Sequence, residues 1–136
     1  MSILKYLAAG AVALGLMGVA AQAQTRAEIE AAFTNHLLTV DEYRDPNAPS
    51  DFSMTVEFRA GNVARFVAYG DEEAWAIWRV SGRQICTTVS MLQGNTLVPV
   101  EDEECLRVRF NGDQVQLNFP SSTGGVIYYV GRLTPL

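Results

Sequence analysis

The chain contains a single histidine, His36, which limits the hydrolytic chemistry that its side chains could perform. Nucleophilic catalysis by a Ser–His–Asp or Cys–His arrangement needs a histidine as the general base. His36 stands beside Leu37 on a stripe that is expected to pack against the core, and no catalytic motif surrounds it. We therefore predict that the protein has no catalytic residues and is not an enzyme.

Two runs of acidic residues are the next candidates, because carboxylates bind Ca²⁺ and can act in pairs as acid and base. They are Asp71-Glu72-Glu73 and Glu101-Asp102-Glu103-Glu104. Neither run has the alternating Asp-x-Asp spacing and the glycine of a dedicated calcium loop. Glycosidase chemistry stays open on sequence grounds, although a domain of this length is a poor host for a deep cleft. We expect solvated loop charge, no metal site and no cofactor.

The two cysteines, Cys86 and Cys105, could form a disulfide or contribute to a metal site. Together with His36 they would leave a zinc site short of ligands, because structural zinc takes four. The choice between thiols and a disulfide depends on the compartment, since disulfides persist in oxidising surroundings.

Residues 1–23 have the features of a secretory signal peptide. Lys5 gives a positive start, residues 6–21 are almost wholly apolar and small, and Ala21-Gln22-Ala23 matches the small-x-small cleavage pattern. A membrane anchor is the alternative, but the apolar stretch is shorter than the roughly 20 residues of a spanning helix. We predict cleavage after Ala23, a periplasmic or secreted protein with no membrane span after processing, and a Cys86–Cys105 disulfide.

The remaining chain, residues 24–136, is long enough for one domain with a single core. The formal net charge is −5, and removal of Lys5, the only lysine, would make the mature part more acidic. An acidic balance argues against binding to nucleic acid or to anionic lipid. We expect the partner to be another exported protein or a small ligand.

The mature chain reads as one helix followed by strands. Thr25 and Glu28 form a capping box for a helix over about 25–38, and two prolines mark a loop over 41–51. From Phe52 the hydrophobic period changes from 3.6 to 2, which predicts strands at 52–59, 63–69, 74–80, 84–92, 96–100, 105–110, 114–119 and 126–133. We predict an all-β domain with one N-terminal helix and an antiparallel meander of about eight short strands. Near-uniform hairpin connections favour a small barrel over a sandwich.

Alternation along the strands assigns each cysteine to a face of the sheet. Ile85 and Leu106 belong to apolar sets that are expected to point inward. Cys86 and Cys105 directly adjoin them and therefore point outward. Both cysteines lie on the same polar face, which is consistent with a bridge between them.

Trp75 and Trp78 are three positions apart and must face opposite sides of one strand. Trp78 shares its face with Val80 and is expected in the core, which leaves Trp75 outside. Arginine and the large aromatic residues are enriched at interface hot spots. We predict a candidate interaction surface composed of Tyr69, Trp75, Ile77 and Arg79. The alternative is that the N-terminal helix or edge packing covers these side chains.

An ordered set of residues resembles the pattern of a group of short exported Gram-negative bacterial proteins of uncharacterised function. The pattern consists of a Trp strand, a Cys, a second Cys on an alternating strand, a Gly-Asp turn and a late Gly. The matching residues are Trp78-Arg79-Val80, Gly82, Ile85-Cys86, Cys105, Arg107-Val108, Asn111-Gly112-Asp113 and Gly131. The chain departs from the group at Ala76-Ile77, where the group has Gly-Thr, and at Leu106, where it often has Tyr. The resemblance implies export but no activity.

A weaker similarity links Trp78, Val80, Ser81 and the two cysteines to the periplasmic inhibitors of secreted metalloproteases. Those inhibitors are small eight-stranded barrels with one disulfide and an N-terminal segment that enters the protease cleft. The resemblance implies that the segment after Gln24 would be the inhibitory element.

These observations together predict an exported, non-enzymatic binding or interaction module. It would use the outer aromatic and arginine surface, or the mouth of the barrel. Two alternatives remain open, an inhibitor of a secreted protease and a barrel that binds a small ligand. A barrel interior filled with side chains would argue against the small ligand, and an N-terminal helix packed on the sheet would argue against the inhibitor.

Overall fold

The computed structural model of the protein describes residues 25–47, 53–68, 72–120 and 126–136. Within these ranges the chain forms a helix, α1 (Arg26–Phe33), and the strands β1 (His36–Arg44), β2 (Met54–Arg59), β3 (Val63–Ala68), β4 (Glu72–Ser81), β5 (Gln84–Gln93), β6 (Thr96–Pro99), β7 (Glu104–Asn111), β8 (Gln114–Asn118) and β9 (Tyr128–Pro135). The predicted signal peptide and its cleavage site lie outside the described residues, and so does Tyr69.

Eight strands close into an antiparallel barrel in the order β1, β2, β3, β4, β5, β7, β8 and β9, and β9 pairs back with β1. In the described part of the chain β6 pairs with β5 alone, along residues Ser90 to Gln93. The predicted fold class, a small antiparallel barrel with one helix before it, is confirmed. The hairpin predicted at 111–113 is also present, with Gly112 at φ +66°, a left-handed conformation that glycine adopts without steric cost.

Helix α1 begins as the sequence predicts. The Thr25 hydroxyl accepts a hydrogen bond from the Glu28 backbone N–H at 3.2 Å, and the Glu28 carboxylate accepts one from the Thr25 backbone N–H at 2.7 Å. The helix ends at Phe33, however, so the predicted extension to Leu38 is wrong. The cause is Asn35, which adopts φ +59° and donates its backbone N–H to the Phe58 carbonyl at 2.7 Å.

Strand β1 replaces the end of the predicted helix and the first part of the predicted 41–51 loop. Leu38 and Val40 point inward from it and are almost fully buried. The strand pairs with β2 on one side and β9 on the other, with a register shift between Val40 and Glu42. The barrel wall has eight strands, which is the predicted number, but they are not the predicted set. Strand β1 completes the wall, and β6 lies outside it.

One end of the barrel is closed by aromatic packing beneath α1. The Phe33 ring is fully buried and lies 5.1 Å from the Phe58 ring and 6.3 Å from the Phe110 ring. Phe58 in turn contacts Trp78 edge to face at 5.3 Å. The Trp78 indole N–H donates to the Arg59 carbonyl at 3.0 Å, so its one polar atom is satisfied. The inward orientation predicted for Trp78 is confirmed.

The predicted disulfide between Cys86 and Cys105 is present. The two residues are direct partners in the β5–β7 ladder, which contains four residue pairs from Gln84 to Thr87. Cys86 pairs with Arg79 across the β4–β5 ladder, and the neighbouring pair is Val80 with Ile85, which are both buried. By register the cysteines lie on the outer face, as the alternation predicts, although Cys86 is fully buried there. No helix among the described residues is long and apolar enough to cross a bilayer.

Candidate ligand-binding site

A cavity of about 70 Å³ extends from the middle of the barrel toward the end opposite α1. The carboxyl ends of β1 and β3 and the amino ends of β2, β4, β7 and β9 meet at this end, which we call the mouth. Apolar side chains form most of the wall, namely Leu38, Met54, Val56, Phe58, Phe66, Ile85, Leu106 and Leu117. Tyr129, Thr87 and Glu104 supply the polar atoms. The cavity therefore combines an apolar interior with a few polar groups, the usual composition of a small-molecule site.

Pairing with Thr87 at the end of the β5–β7 ladder places Glu104 in this wall, directly after a bulge in the chain between β6 and β7. Thr87 pairs with Glu104, and Ser90 pairs with Pro99, so two residues of β5 face the four residues 100–103. The Val100 backbone N–H donates to the Val89 carbonyl at 2.9 Å and fixes the start of the bulge. Bulges of this kind redirect side chains and occur often beside functional sites.

The bulge sends two adjacent carboxylates to opposite faces of the wall. Glu103 turns outward, where its two oxygens accept hydrogen bonds from the Arg79 guanidinium at 2.7 Å each. Glu104 faces the cavity side beside Thr87 and lies at the cavity's edge, where the residue stays exposed to solvent. One carboxylate thus takes part in a bidentate surface ion pair, and its neighbour lines the mouth.

The two environments shift the pKa values of the two carboxyl groups in opposite directions. The hydrogen bond from Arg79 lowers the pKa of Glu103 below its ordinary value. Burial raises the pKa of Glu104, and the nearby Glu101 carboxylate raises it further. None of the arginines in the described ranges forms an ion pair with Glu104. The charged form of Glu104 is therefore disfavoured by the protein itself.

Three aromatic rings cluster at the mouth. The Tyr129 ring lies 5.2 Å from Tyr43 and 5.3 Å from Phe119, and the Tyr43 and Phe119 rings are 6.3 Å apart. Tyr129 pairs with Leu117 on β8 and with Tyr43 on β1, so these residues share the inward face. Tyr129 is the member of this cluster that lines the cavity.

The predicted interaction surface lies where the alternation places it, on the outer face of β4. Trp75 and Ile77 are half-buried, and Trp75 pairs with Arg65 and Ser90 on the neighbouring strands. Helix α1 does not cover them, because its buried residues face the barrel interior. Arg79 is engaged by Glu103. Tyr69 lies outside the described residues, so the structure brings together three of the four predicted residues.

The other candidates for chemistry are dispersed. His36 begins β1, and its Nδ1 lies 2.8 Å from the Thr34 carbonyl oxygen. Of the first acidic run, Asp71 is outside the described residues and Glu73 pairs with Arg65. Cys86, Glu103 and Cys105 place potential ligand atoms within 4.8 Å of one another, but the disulfide uses both sulfur atoms.

Glu104 is the residue of the site that sequence analysis misses, because the whole acidic run is expected to be solvated loop charge. A signal for it was present. Glu104 stands two positions before Leu106 on the same strand, and Leu106 was already expected to point inward. Extending the alternation by one step places the carboxylate on the interior face.

Comparison of the chain with protein-family models, with curated proteins and with solved structures finds no match.

Proposed function

We propose that this protein is an exported, non-enzymatic binding module that holds the apolar part of a small molecule in the mouth of its barrel. The observation that carries the proposal is the difference between the two ends. Phe33 and Trp78 fill the interior beneath α1, whereas side chains leave a cavity of about 70 Å³ at the mouth.

The size of the cavity limits the ligand. Pockets for drug-sized molecules measure about 300–1,000 Å³, and an apolar cavity of about 150 Å³ holds benzene. A cavity of about 70 Å³ accommodates a short aliphatic segment. The rest of the ligand would lie in the mouth, beside Glu104 and Tyr129.

Export is part of the proposal and is supported by residues 1–23 and by the disulfide. Lys5, the apolar run after it and Ala21-Gln22-Ala23 have the order of a signal peptide. The Cys86–Cys105 bond suits an oxidising compartment such as the periplasm or the exterior. Intact-mass measurement of the protein from its native host should find Gln24 at the N terminus, and retention of Met1 would contradict export.

The alternatives receive less support from the geometry. Ile29 and Phe33 are fully buried, so α1 is anchored to the barrel and residues 26–33 are poorly placed to enter a protease cleft. On the outer surface, Arg79 already binds Glu103. The mouth is the better candidate because it offers a concave apolar surface with polar groups at its edge.

Titration with 1-hexanol, followed by ¹H–¹⁵N NMR, tests the proposal. We expect shift changes confined to the cavity wall, including the amides of Met54, Phe66 and Leu106. Leu106→Trp should abolish them, because the larger ring occupies the cavity. Leu92→Trp is the matched control, since Leu92 is exposed on the opposite face of β5 and its replacement should leave binding unchanged. Absence of shifts in the wild-type protein, or equal binding by Leu106→Trp, would overturn the proposal.

A further inference from the structure

The polar groups at the mouth would select among small ligands that share an apolar part. Its carboxylate, Glu104, lies in the wall of an apolar cavity, and Glu101 is close enough to interact with it electrostatically. Elsewhere in the described chain, acidic side chains on the outer wall pair with arginines. Glu57 and Glu73 bind Arg65, and Asp41 binds Arg132. Among the described residues, no arginine pairs with Glu104 in this way.

A negative charge beside a cavity discriminates between ligands by the sign of the ligand's own charge. A carboxylate or phosphate ligand would meet Glu104 and Glu101 as like charges and would be repelled. A neutral ligand would gain no electrostatic attraction from either carboxylate. A cation would supply the missing partner, and the apolar interior would take the remainder of the molecule.

The aromatic cluster also favours a positively charged ligand. Tyr129 lines the cavity and packs on Tyr43 and Phe119 at 5.2 Å and 5.3 Å. Aromatic rings carry negative charge on their faces and attract ammonium groups, which is why aromatic residues recur where organic cations bind. A carboxylate and an aromatic ring in the wall of one apolar cavity therefore select the same kind of head group.

We infer that the ligand is a small amphiphilic amine, with one positive charge at Glu104 and Tyr129 and a short aliphatic segment in the cavity. This inference rests on the proposed function, because it assigns a ligand class to the same mouth. Its apolar segment would contact Met54, Phe66 and Leu106. Its ammonium group would lie at the level of the Thr87–Glu104 pair, where β5 leaves β7 to pair with β6.

Three ligands with the same alkyl chain and different head groups test the inference. Hexylammonium, 1-hexanol and hexanoate are titrated separately at neutral pH and low ionic strength, with dissociation constants from NMR shifts. We expect hexylammonium to bind about three- to tenfold more tightly than 1-hexanol, with hexanoate the weakest. Added salt should reduce the preference for the cation and leave hexanol binding unchanged.

Two isosteric variants of adjacent residues separate the site from the general charge of the protein. Glu104→Gln should bring hexylammonium to within about twofold of hexanol, because the variant removes the carboxylate at the mouth. Glu103→Gln removes the same charge one residue away but on the outer face, and it should keep most of the preference. Equal loss in both variants would show that the effect comes from net charge alone and would overturn the inference.

The outcomes distinguish the inference from the proposed function. If hexanol binds and hexylammonium binds no better, or if hexanoate binds best, the amine assignment is wrong and the apolar site remains. If none of the three binds, the proposed function fails and the inference fails with it. Preferential binding of hexylammonium that depends on Glu104 supports both.

Discussion

The two ends of this barrel are built from the same alternating strands and differ in what lies between the walls. At the closed end, α1 inserts Phe33 among Phe58 and Phe110, and the indole N–H of Trp78 is satisfied by the Arg59 carbonyl. At the mouth, the described wall residues leave a cavity, and the Glu104 carboxylate lies at its edge. Under the proposed function, one small barrel separates stability from binding. The packed end supplies much of the core, and the cavity is the space that the proposed ligand would need.

The largest expected effect is a difference between two identical substitutions. Phe33→Ala should cost about 3–5 kcal/mol of unfolding free energy, because it removes a fully buried ring that closes the barrel. Phe66→Ala should cost clearly less, since Phe66 is half-buried and already borders a cavity. Urea denaturation of the two variants makes the comparison. Equal losses would mean that the two ends do not differ in packing.

The disulfide crosslinks the short β5–β7 ladder, which we call the β5–β7 seam. Cys86 and Cys105 join β5 to β7 where the ladder has only four residue pairs, and two of these pairs border the cavity. Reduction should remove about 3 kcal/mol of stability in the chain-entropy account. For a domain of this size the melting temperature should fall by about 10 °C while the fold persists.

Differential scanning calorimetry with and without reductant measures that loss, and hydrogen exchange locates it. Amides of the β5–β7 seam should lose protection before the amides near Phe33, because the packing beneath α1 does not depend on the bridge. Complete unfolding on reduction, or uniform loss of protection at both ends, would show that the closed end is less independent than its packing indicates.

The smallest expected effect is the change in stability when either carboxylate at the bulge is replaced by an amide. The two changes should have opposite signs. Glu104 has a raised pKa in the folded protein, so the folded state binds its proton more tightly and stability falls as pH rises above about 4.5. Glu104→Gln should therefore be slightly more stable than the wild type at neutral pH. The difference should disappear at acidic pH, where Glu104 is protonated in both states.

Replacement of Glu103 is the control, and its effect on stability should have the opposite sign. Arg79 lowers its pKa, so its stabilising contribution is present at neutral pH and is lost as pH falls below about 4.5. Glu103→Gln should be slightly less stable than the wild type at neutral pH and equal to it in acid. Thermal denaturation across this pH range measures both variants. The same sign for the two substitutions would contradict the inward and outward placement of the pair.

Much of this architecture follows from local sequence patterns. The period-2 alternation predicts β2 to β9 within a few residues, and it assigns Trp78 and both cysteines to the correct faces. Thr25 and Glu28 predict the start of α1. These features are predictable because a capping box and strand alternation depend on residues that are neighbours in sequence.

The parts that the sequence did not predict depend on contacts between distant segments. Leu37 and Leu38 suit a helix or a strand, and β1 forms because β2 and β9 pair with it on both sides. Asn35 was a local signal for the end of α1, since asparagine tolerates the left-handed conformation that it adopts here. The bulge at 100–103 arises from the competition of β6 and β7 for one edge of β5. Glu104, by contrast, was within reach of a local pattern, since it stands two positions before the inward-facing Leu106 on the same strand.

The central claim is that the barrel is filled at one end and holds an apolar cavity at the other, and xenon tests it most directly. Xenon enters apolar cavities without needing a polar contact. Crystals of the protein under xenon pressure should show one xenon site among Phe66, Leu106 and Leu117, with none beside Phe33 and Trp78. Xenon beside Phe33, or no xenon at the mouth, would contradict the account.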